Sequence, residues 1–340
     1  LAQIETQTMP LSRRETPRPG YAAASPGLDV AAVRTVVVVP TYRRPAMLRE
    51  TLDSLSGQVG HAGFAILVVE NDVGGQAGLT VARQVLEAGL LAGIAEVEPA
   101  PGNVSAINAG FSTALAAFPN AQFFLMIDDD ETATPSWLAS MVAAAEMSGA
   151  DIVGGPVIPR FRTEPAAAIS RHPVFHPAFG QTGPVERIYG SGNCLIRRAV
   201  FERLGEPAFD SRFNLLGGGD TDFFQRAHSA GFRSFWNQEA LVIETVPEDR
   251  TSRNWVIKRG MRIGAINRAL DMKGVAGAAG RAKVIAKDMA ILAISPLRAI
   301  RSFVTSGHLL IAIHPIVIAF GRVSSAFGSE PHQYGQDKPS

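Results

Sequence analysis

Cysteine is almost missing from this chain of 340 residues: Cys194 is the single one. No internal disulfide can form, and a zinc or iron–sulfur site built on several thiolates is excluded. The composition suits a reducing compartment. Two nucleotide fingerprints are missing as well. There is no GxGxxG turn and no GxxxxGK loop followed by Ser or Thr, which argues against a classical NAD enzyme or a P-loop NTPase. No internal repeat or low-complexity tract is present. Residues 1–33 hold no long apolar run, so no secretory signal is read there. With Pro10, Pro17, Pro19, Gly20 and Pro26 they read as a flexible arm. Charged residues are sparse at 19% against 46% apolar, which excludes a disordered or fibrous chain.

The formal charge of +1 hides an asymmetry. Residues 1–249 carry 18 Lys and Arg against 27 Asp and Glu, whereas residues 250–322 carry 13 against only Asp271 and Asp288. An acidic body with a basic, apolar tail points to an anionic surface, a phospholipid leaflet or a nucleic acid.

Regular order is expected from Thr35. The run Val36-Val37-Val38-Val39, stopped by Pro40, reads as a buried parallel strand. Residues 64–69, 95–97 and 123–127 read as further strands, with helices over 44–57, 79–88, 105–118 and 135–148. This alternation predicts an α/β fold with a mainly parallel sheet covered on both faces. Ligands of such sheets bind outside the carboxyl ends of the strands. Three of those ends are polar: Thr41-Tyr42, Glu70-Asn71-Asp72 and Asp128-Asp129-Asp130. Residues 156–187 break the pattern with Pro, His and Phe and read as an excursion over one sheet face. Regularity resumes with a strand over 193–196, helices over 198–204 and 220–230, and a strand over 240–245. His172 and His176 have helical ligand spacing, but Pro173 and Pro177 place them in a loop.

Three consecutive aspartates after an apolar strand crowd like charges, which is costly without a cation. A hard divalent ion, Mn²⁺ or Mg²⁺, prefers such oxygen ligands and bridges to substrate phosphates. The plain alternative is a solvated acidic turn. Further on, Gly217-Gly218-Gly219-Asp220-Thr221-Asp222 combines glycines that permit close backbone approach with an aspartate at a helix start. Asp220 and Asp222 cannot share a helix face, so one of them alone is expected to face a cleft.

In this order these elements resemble the family-2 glycosyltransferases, which have the GT-A fold, a three-layer sandwich. The resemblance runs from about Thr35 to about Gly264. Val39-Pro40-Thr41-Tyr42-Arg43-Arg44 is similar to the family's "PTYNR" opening, and Val68-Val69-Glu70-Asn71-Asp72 to its "VVDNxS". Gly102-Asn103 through Ser105-Ala106-Ile107-Asn108-Ala109-Gly110 resembles "GxxxARNxG", with Ile107 in place of the arginine. Asp128-Asp129-Asp130 matches the DxD motif, and Tyr189-Gly190-Ser191-Gly192-Asn193 the loop beside the acceptor. Gly219-Asp220 stands where the family usually has Glu-Asp. Residues 239–255 and Arg259 resemble the succinoglycan-type exopolysaccharide β-glycosyltransferases.

The resemblance implies an inverting transfer from a nucleotide sugar, UDP favoured, to a saccharide acceptor. It implies Asp220 as catalytic base, and Pro40, Thr41, Tyr42, Arg44, Glu70, Asp72, Asn108, Asp128 and Asp129 as donor-binding residues. Glu70 is expected to accept a hydrogen bond from a uracil-type imide. Asp130 and Asp128, with Glu244 beside them, are expected to hold Mn²⁺ or Mg²⁺. Gly192, Asn193, Gly218, Gly219 and Trp236 are expected on the acceptor side. No QxxRW motif is present, so single-sugar addition is expected. The competing readings are a nucleotidyltransferase, disfavoured by the absence of glycine in residues 41–45, and a non-catalytic sugar-binding relative.

The expected organisation is an arm over 1–33, a catalytic domain over 34–264 with halves at 34–131 and 132–264, a helical basic-apolar tail over 265–325 and a flexible end over 326–340. Residues 302–321 lack Asp, Glu, Lys and Arg and approach a minimal span in length. Gly307, His308, His314 and Pro315 interrupt them, so helices lying in the membrane interface are expected over a true span. The expected partners are an anionic membrane surface at the cytoplasmic face of the inner membrane, a saccharide or polyprenyl-diphosphate-saccharide acceptor, a possible second copy, and no nucleic acid.

Overall fold

Alternate residues of one strand feed two cores. Strand β2 (Thr35–Thr41) is buried along its whole length in the computed structural model, which describes residues 21–61, 63–214 and 216–327. Val36 and Val38 join Phe111, Phe118 and Phe124 on one face. Val37 and Val39 join Leu48, Leu52 and Met141 on the other. Period-two side chains buried on both faces are what an internal strand of a covered sheet requires.

Before β2 lies β1 (Ala23–Ala24); after it come α1 (Pro45–Ser56), β3 (Phe64–Glu70), α2 (Ala77–Glu87), β4 (Gly93–Val97), α3 (Asn103–Ala117) and β5 (Phe123–Ile127). There follow β6 (Glu131–Ala133), α4 (Trp137–Ser148), β7 (Ile152–Gly154), β8 (Val157–Phe161), α5 (Ala167–Ser170), β9 (Gly183–Val185), β10 (Asn193–Arg197), α6 (Arg198–Leu204), α7 (Gly219–Ser229), β11 (Ser234–Trp236) and β12 (Val242–Val246). Four helices close the described residues: α8 (Arg253–Met272), α9 (Gly277–Ser306), α10 (Leu309–Ala312) and α11 (His314–Ser325).

The large sheet has the order β1-β4-β3-β2-β5-β10-β7-β11-β9. Strands β4, β3, β2 and β5 run parallel, so the ends of β2, β3 and β5 converge as expected. Strand β10 enters antiparallel between β5 and β7, with Asn193 opposite Ile127 and Cys194 opposite Met126. That register brings Gly192 beside Asp128. A small sheet, β6-β12-β8, sets Glu244 opposite Glu131.

Residues 1–20 of the expected arm lie outside the described residues; Ala23–Ala24 form an edge strand on β4. Helix α8 runs through the expected boundary at 264/265. The apolar stretch 302–321 is interrupted, as its Gly307 implied. Gly307, at φ +70°, ends α9, and α10 and α11 fold back against α9 and α8. Of the expected flexible end, residues 328–340 lie outside the described residues.

Helices α8 and α11 cross closely because both lack side chains at the contact. A Cβ on Gly264 would strike the Ile318 carbonyl oxygen, and one on Gly321 the Met261 carbonyl oxygen. Buried charge fixes the third helix. Asp288 of α9 accepts from Arg322 Nε at 2.7 Å and from Arg268, and Arg322 also reaches Asp271 at 2.6 Å. Burial disfavours the Asp271 charge, but hydrogen bonds from Lys287 and Arg322 outweigh it and hold its pKa below the ordinary value.

Candidate active site

The acidic turn after β5 is built into the protein rather than left in solvent. Asp129 is buried and fully engaged. Its Oδ2 accepts from Thr41 Oγ1 at 2.8 Å and from the Tyr42 backbone N–H at 3.3 Å, and its Oδ1 pairs with Arg44 at 3.1 Å. Asp129 and Thr41 therefore clamp the end of β2 to the end of β5. Pro40 is buried within β2. Asp130 pairs through Oδ2 with Arg44 at 2.8 Å, and Arg250 lies 3.8 Å from the same oxygen. Arg250 also holds Glu244 at 3.2 Å. Burial works against the Arg44 charge, but Asp129 and Asp130 outweigh it and keep its pKa above the usual value.

Asp128, half-buried, and Glu131, buried, complete the cluster. The Asp128 backbone N–H donates to Glu131 Oε2 at 3.0 Å. Burial, then the Asp130 and Asp129 charges, push Asp128 up to about 8. Burial, then Asp128, hold Glu131 well above the carboxylate range, and burial with Asp130 raises Glu244. The cluster is thus short of positive charge despite two arginines. Gly192 makes room for it, since a Cβ there would lie 2.8 Å from Asp128 Oδ2 and 2.7 Å from Glu131 Oε1. Glu131 escaped the sequence reading. Its signal was a fourth acid continuing the run, and its neighbour Glu244 was recognised.

Asp220 sits in the first turn of α7, half-buried, and its Oδ1 accepts from the Thr221 backbone N–H at 2.7 Å. Asp222 is buried and committed to Arg226 at 2.8 Å and to Lys273. The helix thus separates the two aspartates as their spacing requires, and among the described residues no salt bridge to Asp220 is formed. Burial raises the Cys194 thiol pKa, and the charges of Asp128 and then Asp220 raise it further.

Several expected ligand contacts prove to be internal. Glu70 is fully buried; Oε1 accepts from the Asp72 N–H at 2.9 Å, and Oε2 from the Gly78 and Leu79 N–H groups at 2.7 and 3.1 Å. It satisfies orphan donors at the start of α2 and in the turn before it. Asn108 clips the Phe209 backbone through both amide atoms at 2.8 Å and lines an apolar groove with Phe111, Leu115 and Pro207. Asn193 is buried, accepts from Trp137 Nε1 at 2.7 Å and donates to the Ala240 and Pro156 carbonyls at 2.8 and 3.0 Å. Gly218 is needed for φ +91° and for contact with Ile266 of α8, and Gly219 packs on Val104. Trp236 is buried against Phe179. Each was expected at the donor or acceptor, and each has contacts within the fold as well. Tyr42 remains exposed with the Arg43 guanidinium 4.8 Å from its ring centre, and Arg43 also pairs with Asp72 at 3.1 Å. These three stand at the open ends of β2 and β3.

Oxygen-only donors with raised pKa values, and a glycine clearing space beside them, fit a hard divalent cation. Among the described residues no three His, Cys, Asp or Glu side chains form a ready metal cage. A cation here would hold two carboxylates and complete its shell with phosphate oxygens and water, as Mg²⁺ commonly does. Arg44 would compete with it for Asp130.

Comparison with known proteins agrees with this geometry. The family model described as "Glycosyl transferase family 2" matches residues 36–205. The chain is 34% identical over 232 residues to the "Succinoglycan biosynthesis protein ExoM" of Rhizobium meliloti (strain 1021), covering 66% of this chain and 71% of that protein. It is 30% identical over 171 residues to a "Glucosyl-dolichyl phosphate glucuronosyltransferase" of Haloferax volcanii, covering 43% of this chain and half of that one. Among solved structures, the mannosyltransferase PcManGT from Pyrobaculum calidifontis, in complex with GDP-Man and Mn²⁺, aligns with a TM-score of 0.54 at 16% identity, covering 93% of this chain and 79% of that chain.

Proposed function

Because the chain belongs to glycosyltransferase family 2, we propose that it inverts the anomeric centre of a nucleoside diphosphate sugar, UDP-sugar favoured, in a single displacement by a saccharide hydroxyl. One observation carries the reading: at the end of β5 the carboxylates of Asp128 and Glu131 stand beside Gly192, where a Cβ would lie 2.8 and 2.7 Å from them, so that a glycine keeps space open next to a crowded acidic cluster.

Asp220 takes the proton from the acceptor hydroxyl as the new bond forms, which fits general-base catalysis by a positioned carboxylate. Its backbone bond to Thr221 fixes the side chain, and no lysine or arginine competes for its lone pairs. Asp130 and Asp128, with Glu244 beside them, are the residues that would hold Mn²⁺ or Mg²⁺. Bound there, such a cation would supply positive charge to the departing diphosphate. Arg44 and Arg250 lie against the same carboxylates and add positive charge where the phosphates must rest. Tyr42, Arg43 and Asp72 border the nucleoside end, and Gly192 keeps the cleft floor open. Asp129 and Glu70 position these loops without touching the donor.

The ExoM likeness supports a role in exopolysaccharide or glycolipid synthesis, with a lipid-linked saccharide such as a polyprenyl-diphosphate saccharide as acceptor. The site would then work at the cytoplasmic face of the inner membrane, with the protein peripheral or monotopic. A panel of nucleotide sugars with Mn²⁺ or Mg²⁺, read by nucleoside diphosphate release and by NMR of the product anomer, tests the reading. Release from at least one donor with inverted configuration is expected. A retained configuration would refute it.

A further inference from the structure

Helix α9 is turned inside out relative to a helix of a soluble protein. Its protein-facing side holds Val284, Asp288 and Ser295, with Asp288 locked to Arg322 and Arg268. Its opposite side, at 100° per residue, carries Ala286, Met289, Ala293, Leu297, Ile300 and Val304. Leu297 is 70% exposed and Val304 79%. An amphipathic helix normally buries such a stripe, and a contiguous exposed apolar strip marks an interaction surface. Leu309 of α10 and Phe320 of α11 are exposed as well. Lys283, Lys287, Arg298 and Arg301 run along one edge of the strip, in a segment with 13 basic residues against Asp271 and Asp288.

Length and mean hydropathy alone would let α9 cross a bilayer. The charges oppose it. Between Asp288 and Arg298 only residues 289–297 are uncharged, which at about 1.5 Å rise is ~14 Å of helix against a hydrocarbon core of about 30 Å. A strip with a basic edge suits a helix lying in the interface, apolar side among the acyl chains and Lys/Arg at the headgroups.

We propose that the outward strip of α9 docks the enzyme flat on an anionic phospholipid leaflet. This rests on the membrane location proposed above and adds the surface and orientation that achieve it. Full-length protein is floated with phosphatidylglycerol-containing vesicles and with neutral phosphatidylcholine vesicles. The Leu297→Glu/Val304→Glu variant should lose at least about tenfold in partitioning, given the apolar area withdrawn. Its melting temperature and nucleoside diphosphate release should match wild type. Arg298→Gln/Arg301→Gln should lose about tenfold on anionic vesicles at low salt and little on neutral ones. Dye on Leu297→Cys and, separately, on Ile300→Cys or Val304→Cys should report equal shallow depth by lipid quenching; buried Cys194 stays unlabelled.

Wild-type partitioning of Leu297→Glu/Val304→Glu would overturn the docking face while leaving the membrane location standing. Absence of any vesicle binding by the full chain would overturn both. Unequal dye depths would mean a span and overturn the flat orientation. Loss of a concentration-dependent dimer in the same variant, without vesicle binding in wild type, would make the strip a seam between copies and refute the proposal.

Discussion

Asp220 and Asp222 stand two residues apart in one helical turn, and the structure predicts opposite consequences for their loss. In Asp220→Asn the amide oxygen still accepts from the Thr221 N–H, and no salt bridge is broken. Stability should stay within about 0.5 kcal/mol, the range of substitutions that touch no special feature. Transfer should fall by about 10²–10⁴-fold, the usual worth of one general base, which is ~3–5 kcal/mol on the barrier. In Asp222→Asn, Arg226 and Lys273 lose their buried counter-ion. Removing one partner of a buried pair costs about 3–5 kcal/mol. Lys273 keeps Asp210 at 2.8 Å, so the lower figure applies. With an unfolding entropy of about 2.1 cal/mol/K per residue, ~3 kcal/mol lowers the melting temperature of a chain this long by about 4 °C. Transfer per folded molecule should change less than tenfold. Calorimetry and initial rates on both variants, at equal folded concentration, separate the two effects. A stable but inactive Asp222→Asn, with an active Asp220→Asn, would refute the assignment of the base.

Other consequences are equally specific. Burial depresses His172 and His314 to about 4, and their rings meet at 4.6 Å where the 172–176 loop touches α11. A pKa below the unfolded value gives stability that is present above pH 6.5 and is lost as pH falls towards 4, so between pH 7 and 5 His314→Leu should lose about 1–2 kcal/mol less than wild type by urea unfolding. The comparison must be differential, because raised Asp128 and Glu131 carry the opposite sign; an unchanged difference between the two proteins would contradict a neutral histidine pair. Gly264→Ala should destabilise by about 1–3 kcal/mol through overpacking against Ile318, read by thermal unfolding, with UDP affinity unchanged; an undisturbed melting temperature would mean that α8 and α11 do not cross at these glycines. Glu70→Ala should cost about 1–3 kcal/mol by stranding buried N–H groups, and a loss of UDP affinity without a stability change would restore it to the donor site.

The framework was legible because it rests on local pattern. Val36 to Val39, the apolar run into Asp128, and the helical stripe holding Leu48, Leu52 and Leu55 each declare their element within a dozen residues. The short strands β8, β9 and β11 were harder, since three to five residues carry no reliable period. Of the candidate site, the acidic run and the aspartate at a helix start were legible as charge. The internal bonds of Glu70, Asn108 and Asn193 were not, because a side chain that caps a helix or clips a loop has the same composition as one that binds a ligand. Their partners lie 8, 101 and 47 residues away in the chain. In the tail, Gly307 was legible as the break in 302–321, whereas the exposure of the apolar side of α9 was not, since it depends on how α10 and α11 fold back.

The central claim is that the end of β5 binds a donor diphosphate through a divalent cation. Isothermal titration of UDP into wild type and Asp130→Ala, each with and without Mn²⁺, tests it without requiring the acceptor. Wild type should bind at least about tenfold tighter with the cation, a coupling of ~1.4 kcal/mol, and Asp130→Ala should lose that gain while keeping its melting temperature. Equal cation-dependent gain in both proteins would contradict the account.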